Sequence, residues 1–249
     1  MKKMTLMMLW LISFYFGGGQ TLPSDLAAQA DALYEKGDPA DFRQAIDLYK
    51  QALQTNPVSY ALNWKCARAY RDFGNAIKKA QAQGWKKTCA QLGKTGMQFA
   101  QRAMQIEPDK PEGFYYYGLN VGIYADGVSI LTALRQGLKQ KTQSSLEKAY
   151  QFDRLYRDAG PILALGRYWA VVPWPFKNKK KALAYYREYQ QTPYFGGSDE
   201  ALVYLAELLL QVSAEKNKAE AKTLLEKAAQ SRENYYAEWA RRLMAKYKL

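Results

Sequence analysis

The sequence predicts an all-α protein: a divergent tetratricopeptide (TPR) helical-repeat solenoid of antiparallel helix pairs, ended by a C-terminal capping helix. Three observations predict it. Strand signals are nearly absent, and long stretches carry apolar residues at three- and four-residue spacing, the period of an amphipathic helix. A pattern recurs in which a small residue is followed four positions later by an aromatic or large apolar one. An alanine then stands three further on, often with a proline five beyond that. Finally, 48% of the 249 residues are apolar, enough to bury a sizeable core, and the 17 Gly and 9 Pro are no excess.

The first nineteen residues read as a targeting segment rather than fold. Lys2 and Lys3 make a positive start, the run from Met4 to Phe16 is apolar but short for a membrane span, and Gly17-Gly18-Gly19 offers cleavage before Gln20. An uncleaved anchor is the alternative. No cysteine follows to carry a lipid. Export places the chain in the periplasm or at the cell surface, with residues 20–249 as a single helical repeat domain.

The second helix of each pair carries the repeat most plainly. Ala45, Tyr49, Ala52 and Pro57 fit it fully, and Gly96, Ala100, Ala103 and Pro108 fit with Ala in place of the large residue. Weaker instances are Thr142, Leu146 and Ala149, with Asp153 near the proline position, then Ala182, Tyr186 and Tyr189 with Pro193 near the end, then Ala221, Leu225 and Ala228. First helices precede them at Ala32-Leu33-Tyr34, Cys66-Ala67 with Tyr70, Tyr117-Gly118, and Leu165-Gly166 with Trp169. Small residues there let two antiparallel helices approach, and the large one fills the gap to the next pair.

Helix starts agree with these registers. Asp38-Pro39 reads as N-cap and first turn, Asp109-x-x-Glu112 as a capping box, and Asn178 and Ser198 as caps. The anchors at 45, 96, 142, 182 and 221 are spaced by 51, 46, 40 and 39, against ~34 in a regular array. Insertions are expected over 73–93, 126–140 and 171–177. Residues 234–248 read as the closing cap.

Composition narrows function. The chain has no histidine, so it lacks the usual general base and the commonest metal ligand. No phosphate loop, Cys-pair metal spacing or nucleophile elbow is visible, and neither catalysis, cofactor nor metal is expected. The formal charge of +13 suits an anionic partner or merely a solvated surface, and no nucleic-acid motif accompanies it. Cys66 and Cys89 fall at different heights of neighbouring helices, which favours two buried thiols over a disulfide.

Aromatic and basic residues supply the ligand-channel candidates. Phe114-Tyr115-Tyr116-Tyr117 points all round one helix, so Tyr115 or Tyr116 can face a channel while others pack. Tyr124 and Tyr156 are further candidates. Gly118 serves the repeat, whereas Gly122, four later, makes room for a helix or a ligand. Arg167, beside Tyr168 and Trp169, can clamp a carboxylate, reach to solvent, or pair with Asp158 or another acid. Trp174 and Phe176, between Pro173, Pro175 and Lys177, either cap the core or form a rim for a ligand or partner. Tyr194-Phe195 before Ser198 reads as a hydrophobic staple onto Leu202.

The stretch Asp153, Tyr156, Ala159-Gly160-Pro161, Leu165-Gly166, Tyr168, Pro173 and Lys181-Ala182 resembles the T-component family of TRAP (tripartite ATP-independent periplasmic) transporters, as do Tyr70, Ala100-x-x-Ala103 with Pro108, and Tyr117-Gly118. The resemblance implies a periplasmic TPR accessory that docks an extracytoplasmic substrate-binding protein. It further implies a channel for an organic acid or apolar solute, and a homo-oligomer, a trimer by analogy. The missing lipid-attachment cysteine departs from that family and puts membrane tethering in doubt. Two other readings stand beside it: an envelope protein-interaction scaffold with no small ligand, and a charge-driven binder of anionic lipid or polymer.

Overall fold

In a computed structural model, residues 22–81 and 83–249 are described; the targeting segment expected at residues 1–19 lies outside them. The described residues are all helix, turn and loop, with no strand. Eleven α-helices follow one another among them: α1 (Pro23–Tyr34), α2 (Pro39–Thr55), α3 (Tyr60–Ala80), α4 (Trp85–Ile106), α5 (Pro111–Gly127), α6 (Ile130–Arg135), α7 (Leu138–Phe152), α8 (Tyr156–Val171), α9 (Lys179–Gln190), α10 (Asp199–Ala228) and α11 (Asn234–Tyr247). No helix among the described residues is long and apolar enough to cross a membrane.

The pairs are those of a TPR solenoid: α1 with α2, α3 with α4, α5 with α7, and α8 with α9. The fifth pair is α10 itself, broken where Ser213 turns extended (φ −159°, ψ 100°) and Asn217 Nδ2 donates to the Leu209 carbonyl at 2.9 Å. α11 packs on α10 as the cap.

The repeat positions are the core. Ala45, Tyr49 and Ala52, then Ala100 and Ala103, then Leu146 and Ala149, then Ala182, Tyr186 and Tyr189, and finally Ala221, Leu225 and Ala228 are all buried. The small residues do what packing demands. A Cβ on Gly118 would sit 2.6 Å from Leu146, and one on Gly166 would meet the Tyr186 ring at 2.5 Å. Thr142 departs from the pattern and faces a cavity instead of a helix.

The insertions take three forms. Residues 73–93 lengthen α3 and α4 and leave only a short turn between them. Within 126–140 stands the short helix α6, and 171–177 is the loop before α9. Asn178 Oδ1 and Ser198 Oγ cap their helices, accepting from Lys181 N at 2.9 Å and Ala201 N at 3.2 Å. The capping box at Asp109 is absent: the helix begins at Pro111, and Glu112 instead accepts a 2.6 Å hydrogen bond from the Tyr60 hydroxyl. Asp38 makes no side-chain cap bond, and Pro39 alone sets that start. Phe195 packs in a short 3₁₀ turn against Tyr189 and Ala201. Cys66 and Cys89 are buried, free thiols.

Candidate functional site

The superhelix curls until its ends meet. Lys79 of α3 pairs with Glu233, just before α11, and its ammonium lies 4.7 Å from the Tyr236 ring. Arg157, at the start of α8, donates to the Tyr34 hydroxyl of α1 at 3.2 Å. Residues 157–159 adopt left-handed backbone (φ 48°, 60° and 59°), unusual for three successive non-glycine residues. That turn carries Arg157 across to α1.

Inside the curl lies a cavity of about 460 Å³. Its wall is largely apolar, with Leu119, Val121, Leu138, Leu146, Leu163 and Ala164 among its residues, and α6 stands at its side through Ile130 and Leu134. Four cations reach it, Arg71, Lys78, Lys139 and Arg167, against two carboxylates, Asp126 and Glu200. Gly122 leaves open space: an added Cβ would meet nothing within 4 Å. A second cavity of about 510 Å³ adjoins through Arg71 and Asn75 and is polar, with Tyr34, Asp72, Arg157 and Glu233 on its wall.

The charges are held in place by short polar bonds. Arg71 donates to Asp72 at 2.6 Å, and Tyr34 donates to the other oxygen of Asp72 at 2.5 Å. Burial works against the Arg71 charge, but Asp72 and Glu200 outweigh it and hold its pKa well above the ordinary value. Lys78 bonds Asp126 at 2.7 Å, and Arg167 bonds Glu207 at 3.0 Å with its guanidinium 4.2 Å from the Tyr204 ring. Arg167 therefore takes the paired reading, with Glu207 rather than Asp158 as its partner. Burial also pushes the Tyr115 hydroxyl above its ordinary range, against the pull of Arg71.

The sequence-derived candidates separate. Tyr115 and Arg167 are on the cavity wall. Tyr116 and Tyr156 form an edge-on cluster with Tyr115, and Trp64 stacks on Tyr116 at 6.0 Å between centroids. Trp169 lies off the wall, buried against Tyr168 and beneath Lys181. At about 100° per residue it stands roughly 200° round the helix from Arg167, so the two cannot share a face. Tyr124 is not on the cavity wall, and its backbone packs against α4 at Gly93. Trp174 is 87% exposed, so it caps nothing, and Phe176 lies on the rim under Lys139, 4.7 Å away.

Sequence reasoning missed Arg71, Asp72 and Arg157. Nothing local marks them; an Arg-Asp doublet in a helix reads as surface. It also missed Asn120, fully buried, whose amide donates to the carbonyls of Ala67 and Tyr116 at 2.9 and 2.8 Å and whose oxygen occupies the space above Gly96.

Comparison with solved structures shows the same fold. A thermophilic TPR protein of Thermus thermophilus superposes with a TM-score of 0.65 at 17% identity, covering 89% of this chain and 99% of its own. The MamA protein gives 0.51 at 18%, covering 91% and 96%. No curated protein sequence matches the chain. A family model described as regulator of microtubule dynamics protein 1-3 matches residues 26–170. This overturns the resemblance to the TRAP T-components, the analogy on which the trimer and the substrate-binding-protein partner rested. Two of the residues that suggested it serve packing in this chain: Gly160 clears the Tyr115 hydroxyl and Gly166 the Tyr186 ring. The chain belongs to the family of regulator of microtubule dynamics proteins 1-3.

Proposed function

We propose that the chain is a protein-interaction scaffold that takes a peptide segment bearing acidic and apolar side chains into the cavity between α5, α7 and α8. The observation that carries this reading is the cavity's make-up: about 460 Å³ with a largely apolar wall reached by Arg71, Lys78, Arg167 and Lys139, the first three held by Asp72, Asp126 and Glu207 and Lys139 in no ion pair among the described residues. Concave surfaces of helical repeats bind extended or helical segments, and complementary charge speeds and orients such encounters. The family's description names regulators, a role that suits a chain holding other proteins better than one doing chemistry on them; its microtubule target is not carried over to this chain.

The test is selection from a displayed library of random peptides, followed by titration of the winners against Gly122→Leu, which puts a side chain into the cavity's open space. Enrichment of acidic, leucine- or aromatic-bearing peptides that bind the parent and lose roughly tenfold or more on Gly122→Leu supports the reading. Peptides insensitive to that change would sink it. A second reading, a small organic anion in the same cavity, draws on the volume, which falls in the range of small-molecule sites. Native mass spectrometry of the purified chain separates the two, since a retained small anion adds a discrete mass. The proposed setting remains the periplasm or cell surface, on Lys2, Lys3 and the apolar run to Phe16; fractionation of expressing cells tests it.

A further inference from the structure

Six large apolar side chains stand exposed around the cavity mouth. Ile130 (64%), Leu131 (57%) and Leu134 belong to α6; Val171 (50%), Trp174 (87%) and Phe176 belong to the end of α8 and the loop after it. They are neighbours: Ile130, Leu134, Val171 and Pro173 share the cavity wall, and Lys139 of that wall lies against Phe176. Scattered surface leucines need no explanation, but six large exposed apolar side chains on two segments that flank one cavity, an almost fully exposed tryptophan among them, do.

Charge around this patch is one-sided. The segment 127–146, which holds α6 and the start of α7, contains Arg135, Lys139 and Lys141 and no acidic residue. The segment 159–187 again contains no acidic residue; its Arg167 and Arg187 are paired with Glu207 and Glu220, which leaves Lys177, Lys179, Lys180 and Lys181 as its surface cations. Lys177 and Lys180 are exposed and make no ion pair among the described residues. The segment 73–106 is also basic and free of acids, with Lys78, Lys79, Lys86, Lys87, Lys94 and Arg102, but it carries none of the exposed large apolar side chains of the described residues.

We propose that this rim docks on an anionic lipid surface, with Trp174, Phe176 and the apolar residues of α6 entering the headgroup region and the lysines meeting lipid phosphates. Tryptophan settles at that depth because its ring is apolar and its N–H polar, and cationic side chains beside it gain from the negative surface potential. The shape favours a bilayer over an acidic peptide. Trp174 stands out on a loop, whereas peptide anchors insert into pockets. The rim shares Ile130, Leu134, Val171 and Lys139 with the cavity assigned to the peptide, but Trp174, Lys177 and Lys180 lie off that wall, so changes at those three test this proposal separately.

The experiment uses the full chain and vesicles of phosphatidylcholine, with or without phosphatidylglycerol, some carrying acyl chains brominated to quench tryptophan. The expected result is that anionic vesicles quench a component of the emission present in the parent and missing from Trp174→Ser. Subtracting the two isolates Trp174 from the other tryptophans, Trp10 of the N-terminal apolar run included. Lys177→Gln with Lys180→Gln is expected to weaken binding of anionic vesicles by roughly fivefold per lysine. Both positions are exposed, so neither change threatens the fold. Equal quenching in parent and Trp174→Ser overturns the proposal. So does binding of neutral vesicles as tight as that of anionic ones, or a patch that captures an acidic leucine-bearing peptide in a Trp174-dependent way while leaving vesicles unbound. Vesicle binding retained by Gly122→Leu is expected, because position 122 lies on the cavity wall and Trp174, Lys177 and Lys180 do not.

Discussion

The hydroxyl of Tyr34 in α1 donates to Asp72 at 2.5 Å while accepting from Arg157 at 3.2 Å, a hydrogen bond that spans 123 residues of sequence. Asp72 in turn holds Arg71, which is on the walls of both cavities. One phenol thus fastens the first helix to the fourth repeat and sets the curvature that encloses the site. Tyr34→Phe removes both bonds and leaves Arg157 without this tie. Hydrogen bonds to charged partners contribute about 1.5–3 kcal/mol each, discounted here for partial exposure. A loss of roughly 2 kcal/mol in urea unfolding is expected, with a lowered midpoint. An unchanged midpoint would show that the ring's packing on Phe42, not its hydroxyl, closes the curl.

Gly122 and Gly93 are predicted to respond in opposite directions. At Gly122 an added side chain enters open space on a helix interior, where Leu is favoured over Gly by about 1 kcal/mol. Gly122→Leu should hold or raise the melting temperature while narrowing the cavity.

At Gly93 an added Cβ would collide with the Tyr124 backbone nitrogen and lie 2.8 Å from the Asn120 carbonyl oxygen. Backbone cannot swing aside as a side chain can, so Gly93→Ala must push α5 away from α4. Overpacking of this kind costs about 1–3 kcal/mol and here falls at the upper end, lowering the melting temperature by roughly 5–10 °C. A melting temperature unchanged from the parent would mean that α4 and α5 can part at Gly93 without cost.

These contrasts show what could be read from the sequence. Ala45, Tyr49, Leu146, Tyr186 and Ala221 were legible because each is fixed by contact with a partner helix close in sequence, and such contact imposes a local spacing. Arg157 was not legible. Its partner is in α1, and its left-handed backbone is built without the glycine that usually signals one. Asn120 was hidden between two glycines that drew the eye to close packing, when the buried amide bonding Ala67 and Tyr116 is what ties α5 to α3. The transporter resemblance failed for a related reason: Gly160 and Gly166 report what they pack against, and the same demand arises in every stacked helix pair. Trp174 was placed in the right loop, but sequence could not tell a cap from a rim, because that depends on whether α6 reaches over it.

Cys89 ties stability to alkaline pH. Its thiol is fully buried and donates to the Gly74 carbonyl at 3.4 Å; burial, with a smaller push from Asp126 and against the pull of Lys78, raises its pKa from 9.0 to about 11. A raised thiol pKa means that the folded state keeps its proton where the unfolded state has released it. The contribution is therefore fully present below pH 9 and is lost as pH climbs from 9 towards 11, at most about 1.4 kcal/mol per pH unit. Cys66, more strongly raised by burial, and the buried tyrosines add to the same slope, so the whole-chain curve cannot be assigned to one group. Cys89→Ala isolates it, since alanine fits the site and does not ionise. Urea unfolding at several pH values between about 8 and 10.5 is expected to show the parent losing stability faster than Cys89→Ala, by roughly 1–2 kcal/mol at the upper end. Parallel curves would mean that Cys89 ionises as readily in the fold as outside it, and that α3 and α4 admit water at their junction.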